Sequence, residues 1–221
     1  MVRSSHVPPP ASPKKRSIQP LIWVIVCCLA PIVLAFLAYY APGLGLRPDE
    51  TTNYGTLINP QRPIPSDPPL ALTTLDGKPY NLASLKGQWV LVSAGPGACP
   101  ESCVTKLYIL RNSHASQGKN VERLNRVWFV TDDAPISEQI LDAYRGTIIL
   151  RVDPVQLAGY LTPKAGGEDA APSLDQARAA LAEPMWIIDP LGNLMIQFPG
   201  NADPILVRKD ISKLIYNSRI G

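Results

Sequence analysis

The stretch WVLVSAGPGACPESCVTK, residues 89–106, changes character twice along its length. Trp89 to Ser93 is a short apolar run, the pattern of a central strand buried on both faces. Gly95-Pro96-Gly97 interrupts it. From Pro100 the pattern turns helical and runs to about Gln117, where Gly118 ends it. Cys99 and Cys103, two of the four cysteines, sit at this strand-to-helix junction. Open α/β sheets place their sites at such junctions.

The same alternation continues outward. Val127–Val130 reads as a second buried strand, Pro135 opens a helix that Gly146 closes, and Thr147–Val152 is a third strand. Residues 162–183 form an insertion in which Ser173 and Gln176 have capping-box spacing before a short helix. Met185–Ile188 and Leu194–Phe198 flank a turn at Asp189–Asn193, a hairpin pattern. Asp203-Pro204 starts the last helix, with Ile205, Leu206, Leu214 and Ile215 as expected core contacts. Upstream, Leu70–Leu85 reads as a hairpin turning at Asp76-Gly77 and leading into a helical turn. This order predicts an α/β domain over 69–221, with a mixed sheet covered on both faces by helices. Residues 41–68, rich in Pro and Gly, read as a tether.

Residues 21–40, LIWVIVCCLAPIVLAFLAYY, carry no charge. At about 1.5 Å per residue they reach roughly 30 Å, the thickness of a bilayer's hydrocarbon core. Trp23, Tyr39 and Tyr40 stand at the ends, where amphipathic rings prefer the interface. The run is too long for a signal peptide's apolar segment and no small-residue cleavage site follows it, so it reads as a retained transmembrane helix. Cys27 and Cys28 within it read as packing residues. Residues 1–20 hold Arg3, Lys14, Lys15 and Arg16 and no acid. That basic, Pro- and Ser-rich tail is expected to be disordered and cytoplasmic, by the positive-inside rule. The formal net charge is +3, so the chain after the tail nets −1 and its near-neutral charge gives a nucleic-acid partner no support. In a bacterial inner membrane this topology puts the domain in the periplasm, where disulfides persist.

A helix beginning near Pro100 leaves Cys99 at its N-cap or just before it. There the helix dipole and free N–H groups favour a thiolate, while Glu101 opposes it. Cys103 follows at i+4, with Cα atoms roughly 6 Å apart if both lie on the helix. That separation permits a disulfide, and it also lets two sulfurs clamp a soft ion such as Cu(I). A static staple here would close a tiny loop and stabilise little. Redox and metal chemistry both remain open on the residues alone.

Gly95-Pro96-Gly97-Ala98-Cys99-Pro100-Glu101-Ser102-Cys103 resembles the G-x-x-x-C-P-x-x-C segment of the Sco/SenC family. These are membrane-anchored, thioredoxin-like proteins that assist copper-site assembly in cytochrome c oxidase. Val130-Thr131-Asp132-Asp133-Ala134-Pro135 and Trp186-Ile187-Ile188-Asp189-Pro190-Leu191-Gly192 are similar as well, and the resemblance spans about residues 68–216. It implies a thioredoxin-like fold, a site built on Cys99 and Cys103, and protein thiols of an oxidase subunit or copper carrier as partners. Two positions depart from the family. Val104 stands where a proline is usual, and Leu181 stands at the position of the family's copper-ligand histidine.

Neither histidine of this chain replaces that ligand. His6 belongs to the cytoplasmic tail, and His114 lies eleven residues beyond Cys103, roughly 16 Å along the helix. Met185 offers a thioether but reads as core filler. Pro184 stands within about a residue of the cis-proline that thioredoxin-like folds carry beside their reactive pair. No Thr or Ser precedes Cys99 at peroxiredoxin spacing, which leaves a peroxidase reading unsupported. The expectation is a protein dithiol/disulfide oxidoreductase with Cys99 attacking and Cys103 resolving. The alternatives are a Cu(I) metallochaperone using Cys99 and Cys103, and a non-catalytic binding module of an oxidase assembly complex.

Overall fold

A computed structural model describes residues 17–40, 53–162 and 171–220. The chain divides into two units, Met1–Thr51 and Thr52–Gly221. In the first, helix α1 (Gln19–Tyr40) contains Pro31 and buries none of its residues. It is long and apolar enough to cross a membrane. Cys27 and Cys28 on it are free thiols.

Among its described residues the second unit holds an eight-stranded mixed sheet in the order β1-β8-β7-β4-β5-β6-β2-β3. At its centre β4 (Trp89–Gly95) is buried at all seven positions. It pairs in parallel with β5 (Leu124–Val130), which pairs in parallel with β6 (Ile148–Arg151). On the other side β4 meets β7 (Met185–Ile188) and then β8 (Asn193–Phe198), all antiparallel. The hairpin β2 (Leu72–Thr74) and β3 (Pro79–Tyr80) turns at Gly77, whose φ of +75° suits a residue without Cβ, and it extends the β6 edge.

Strand periodicity splits the core. Val90, Val92 and Ala94 face one side, under α4 (Pro154–Leu161) and α5 (Leu174–Ala182). Trp89 and Leu91 face the other, under α2 (Glu101–Ala115) and α6 (Pro204–Asn217). Both faces are therefore covered, as the alternation of elements predicts. α5 carries the expected capping box, with Ser173 and Gln176 satisfying each other's backbone N–H groups.

Three expectations are corrected and one helix is added. Part of the stretch read as a tether belongs to the sheet: β1 (Thr56–Pro63) pairs with β8, and the Gly55 N–H donates to Asp210 Oδ2 at 2.9 Å. An edge strand tolerates proline because half its amides need no ladder partner, and β1 is mostly exposed, so it leaves no apolar period to read. The rest of the tether, residues 41–52, and the basic tail with His6 lie outside the described residues. α3 (Glu138–Ala143) starts at an Ser137 cap rather than at Pro135. Helix α4 was not anticipated, although Asp153-Pro154 is the same start signal as Asp203-Pro204. On α6 the buried line is Val207, Ile211 and Ile215, while Ile205 and Leu206 are exposed.

Candidate functional site

At the C-terminal end of β4 the chain leaves the sheet through Gly95-Pro96-Gly97-Ala98 and enters α2. The Cys99 N–H donates to Pro96 O at 3.1 Å, closing a tight turn. Cys99 sits at φ +42°, the one non-glycine in the left-handed region among the described residues. Such a conformation costs about 1 kcal/mol for a side chain with a Cβ. Pro100 is the N-cap and Glu101 the first helical residue, so Cys99 lies just before the helix and Pro100 one position earlier than its sequence pattern places it. No side chain caps this helix end.

Cys99 and Cys103 are joined as a disulfide with Cα atoms 5.1 Å apart. The separation is shorter than the i,i+4 helical distance because Cys99 has already left the helix. Cys99 is 6% exposed and Cys103 2%. Cys103 lines a cavity of about 460 Å³ bounded by Gly95, Pro96, Pro100, Lys106, Leu181 and Arg178, among others. Ala98 and Pro100 are exposed on either side of Cys99.

The loop is held from the neighbouring strand. Asp132, just past β5, accepts from the Gly97 N–H at 2.8 Å and from the Ala134 N–H at 3.2 Å through the same Oδ1. A Cβ on Gly97 would stand 2.4 Å from Ala134 O, so only glycine lets the two loops touch. Arg151 at the end of β6 donates to Asp132 O and to Ala134 O, fixing the supporting loop in turn.

Lys106, one turn beyond Cys103, is a lysine on a helix face otherwise made of Cys103, Leu107, Ile109, Leu110 and Ser113. It is 2% exposed. Its Nζ donates to Ala94 O at 2.6 Å and to Ala182 O, tying the end of β4 to the end of α5. Burial pushes its pKa down to about 8, and the Glu183 carboxylate only partly opposes this. Sequence reading missed Lys106, Arg151 and the fastening role of Asp132. A lysine on an apolar helical stripe was the one available signal.

The other sequence candidates fall in different places. Leu181 is buried and lines the cavity beside Cys103, so the departure from the family pattern lies at the site itself. Met185 is fully buried in the same apolar cluster as both cysteines. Pro184 stands between α5 and β7; cis X-Pro bonds among the described residues are at Pro60 and Pro68. His114 is in the last turn of α2, at the opposite end from the cysteines, half-buried and with its pKa lowered by burial and by Arg126.

Copper, which the resemblance raises, meets a short donor set. Among the described residues no three His, Cys, Asp or Glu side chains gather to hold a metal. Among the described residues, the sulfurs of Cys99 and Cys103 are the soft donors at this junction, with Met185 buried in the same cluster and an apolar Leu181 and a buried ammonium on the cavity at Cys103.

Comparison with known proteins agrees with the fold. No curated protein matches the chain in sequence. ScoI of Arabidopsis thaliana, solved with copper bound, is similar at 18% identity and TM-score 0.50, over 75% of this chain and 99% of that one. Apo Sco1 of Thermus thermophilus is similar at 17% identity and TM-score 0.50, over 76% and 98%. A family model matches residues 89–218, from the first residue of β4 to just past the end of α6. The chain thus belongs to the family described as transmembrane-like, thioredoxin-like, C-terminal domain.

Proposed function

We propose that this protein is a membrane-anchored thiol–disulfide exchange protein acting on protein thiols through Cys99 and Cys103. One observation carries the reading: the two cysteines are bonded at the end of the central strand, and one of them lines an open cavity. A bond that closes so short a loop adds little stability, so its position at an accessible junction argues for exchange. Cys99, the cysteine outside the helix, attacks the partner's disulfide or receives its thiolate. Cys103, on the first turn of α2, resolves the mixed disulfide. In the dithiol form the uncapped N-terminus of α2 stabilises negative charge on sulfur.

Equilibrating the full chain in detergent with graded thiol–disulfide buffers tests this. The Cys99–Cys103 bond is expected to interconvert at a potential above about −300 mV, where exchange-active bonds lie. A lower potential would make it a structural staple.

The resemblance to Sco/SenC proteins adds the process, assembly of an oxidase copper site, with a cysteine pair of an oxidase subunit or copper carrier as the partner. The apolar helix α1 and the basic residues before it support a domain in the periplasm of a bacterial cell. An enzyme reporter that is active only after export, fused after Gly221, is expected to be active. Activity of a cytoplasm-dependent reporter at that position would reverse the topology.

A further inference from the structure

Three cationic groups surround the cavity at Cys103 and the polar cavity that adjoins it through Thr131, Asp132 and Arg178. Two are occupied. The Lys106 ammonium is bound to Ala94 O and Ala182 O, and the Arg151 guanidinium to Asp132 O and Ala134 O. Arg178 is exposed and has neither a hydrogen bond nor an ion pair among the described residues. It is not loosely placed, however. Ala177 and Leu181 anchor its helix in the core and the capping box sets where that helix starts, so the Arg178 backbone is held at the rim of both cavities.

We infer that Arg178 is the specificity residue of the exchange reaction, pairing with a carboxylate that flanks the reactive cysteine of the partner polypeptide. The inference rests on the exchange reading above. Charge supports it: the cavity at Cys103 is lined by Lys106 and Arg178 against the single carboxylate of Asp132, whose Oδ1 already accepts two N–H groups. Asp133 and Asp153 line only the adjoining polar cavity. Guanidinium is suited to this task because its fork matches a carboxylate and it stays charged at any physiological pH. The apolar part of the cavity (Pro96, Pro100, Leu181) receives the aliphatic portion of the same segment.

The step balances with a thiol donor. The partner's thiolate attacks Cys99 Sγ, a mixed disulfide forms, the Cys99–Cys103 bond breaks and Cys103 leaves as a thiolate that takes up a proton. A second donor thiol then attacks the mixed disulfide, and the donor leaves oxidised while Cys99 leaves reduced. Two electrons pass from two thiols to one disulfide.

The test uses two blocked tripeptides, Asp-Cys-Asp and Lys-Cys-Lys, as reductants of the oxidised full chain in detergent at low ionic strength. Each rate is normalised to that peptide's rate with a neutral small disulfide, which removes the effect of flanking charge on the thiol itself. The acidic peptide is expected to reduce the protein about fivefold faster, the factor that roughly 1 kcal/mol of solvent-screened attraction provides. Arg178→Gln should bring the ratio near one and Arg178→Glu should invert it, while Arg208→Gln on the exposed side of α6 leaves it unchanged. Equal normalised rates in the unmodified protein, or a preference that survives Arg178→Gln, would overturn the inference and leave the exchange reading standing. Failure of both peptides to reduce the bond would remove both.

Discussion

Cys103→Ser is expected to arrest exchange at the mixed disulfide. Cys99 in this variant still attacks, but the sulfur that would release the partner is gone. In the unmodified protein that sulfur is held beside Cys99 by the turn at Pro96 and the first turn of α2. Losing an intramolecular nucleophile and relying on external thiol should slow turnover by at least about a thousandfold, since a held group acts at a very high effective concentration. Adducts through Cys99 should accumulate on non-reducing gels and map by mass spectrometry. Cys99→Ser should trap far fewer, because Cys103 lies within the first turn of α2 and acts as the resolving sulfur. Equal trapping by both variants would reverse the roles, and absence of adducts in either would count against exchange altogether.

The second large effect is expected at Lys106, and it depends on pH. The group has a pKa of about 8 when folded and its ordinary value near 10.5 when unfolded. Between those values the unfolded chain holds more protons, so raising the pH favours the folded state. Below pH 8 the ammonium is carried buried at a cost on the order of 3 kcal/mol, and that cost is relieved as the pH rises to about 10.5. The neutral amine still offers two N–H donors to Ala94 O and Ala182 O. Lys106→Met removes the titration and leaves both carbonyls without this donor, each at about 1–3 kcal/mol if it stays dry. Urea unfolding of both proteins at pH 7, 9 and 10.5 should show the unmodified chain gaining relative to the methionine variant by about 3 kcal/mol across the range. Parallel pH profiles would mean the ammonium is solvated.

Most of the fold was legible because each element carries its own local signal. β4 and β5 are apolar runs, α5 announces itself with Ser173 and Gln176, and the β7–β8 hairpin turns where Asp189-Pro190-Leu191-Gly192-Asn193 stands. The misses had physical causes. β1 is an edge strand whose side chains mostly meet solvent, so burial writes no alternation into it. The exposure of Ile205 and Leu206 reflects the direction in which α6 meets the sheet, which residue type does not encode.

The apolar span at 21–40, the strand–cysteine–helix junction and the distance of His114 from Cys103 along the helix were all readable from residue order. Those are properties of neighbouring residues, and short-range sterics and hydrophobic periodicity suffice to read them. Folding was needed to reveal that Asp132 fastens the Gly97 turn, that Lys106 bridges β4 and α5, and that Leu181 and Arg178 line the same cavity as Cys103. Each of these contacts joins side chains or carbonyls brought together by the parallel β4–β5 pairing and the return of the chain through α5 to β7. A group's partners after such a return depend on where two distant segments meet, and no local pattern in either segment records that.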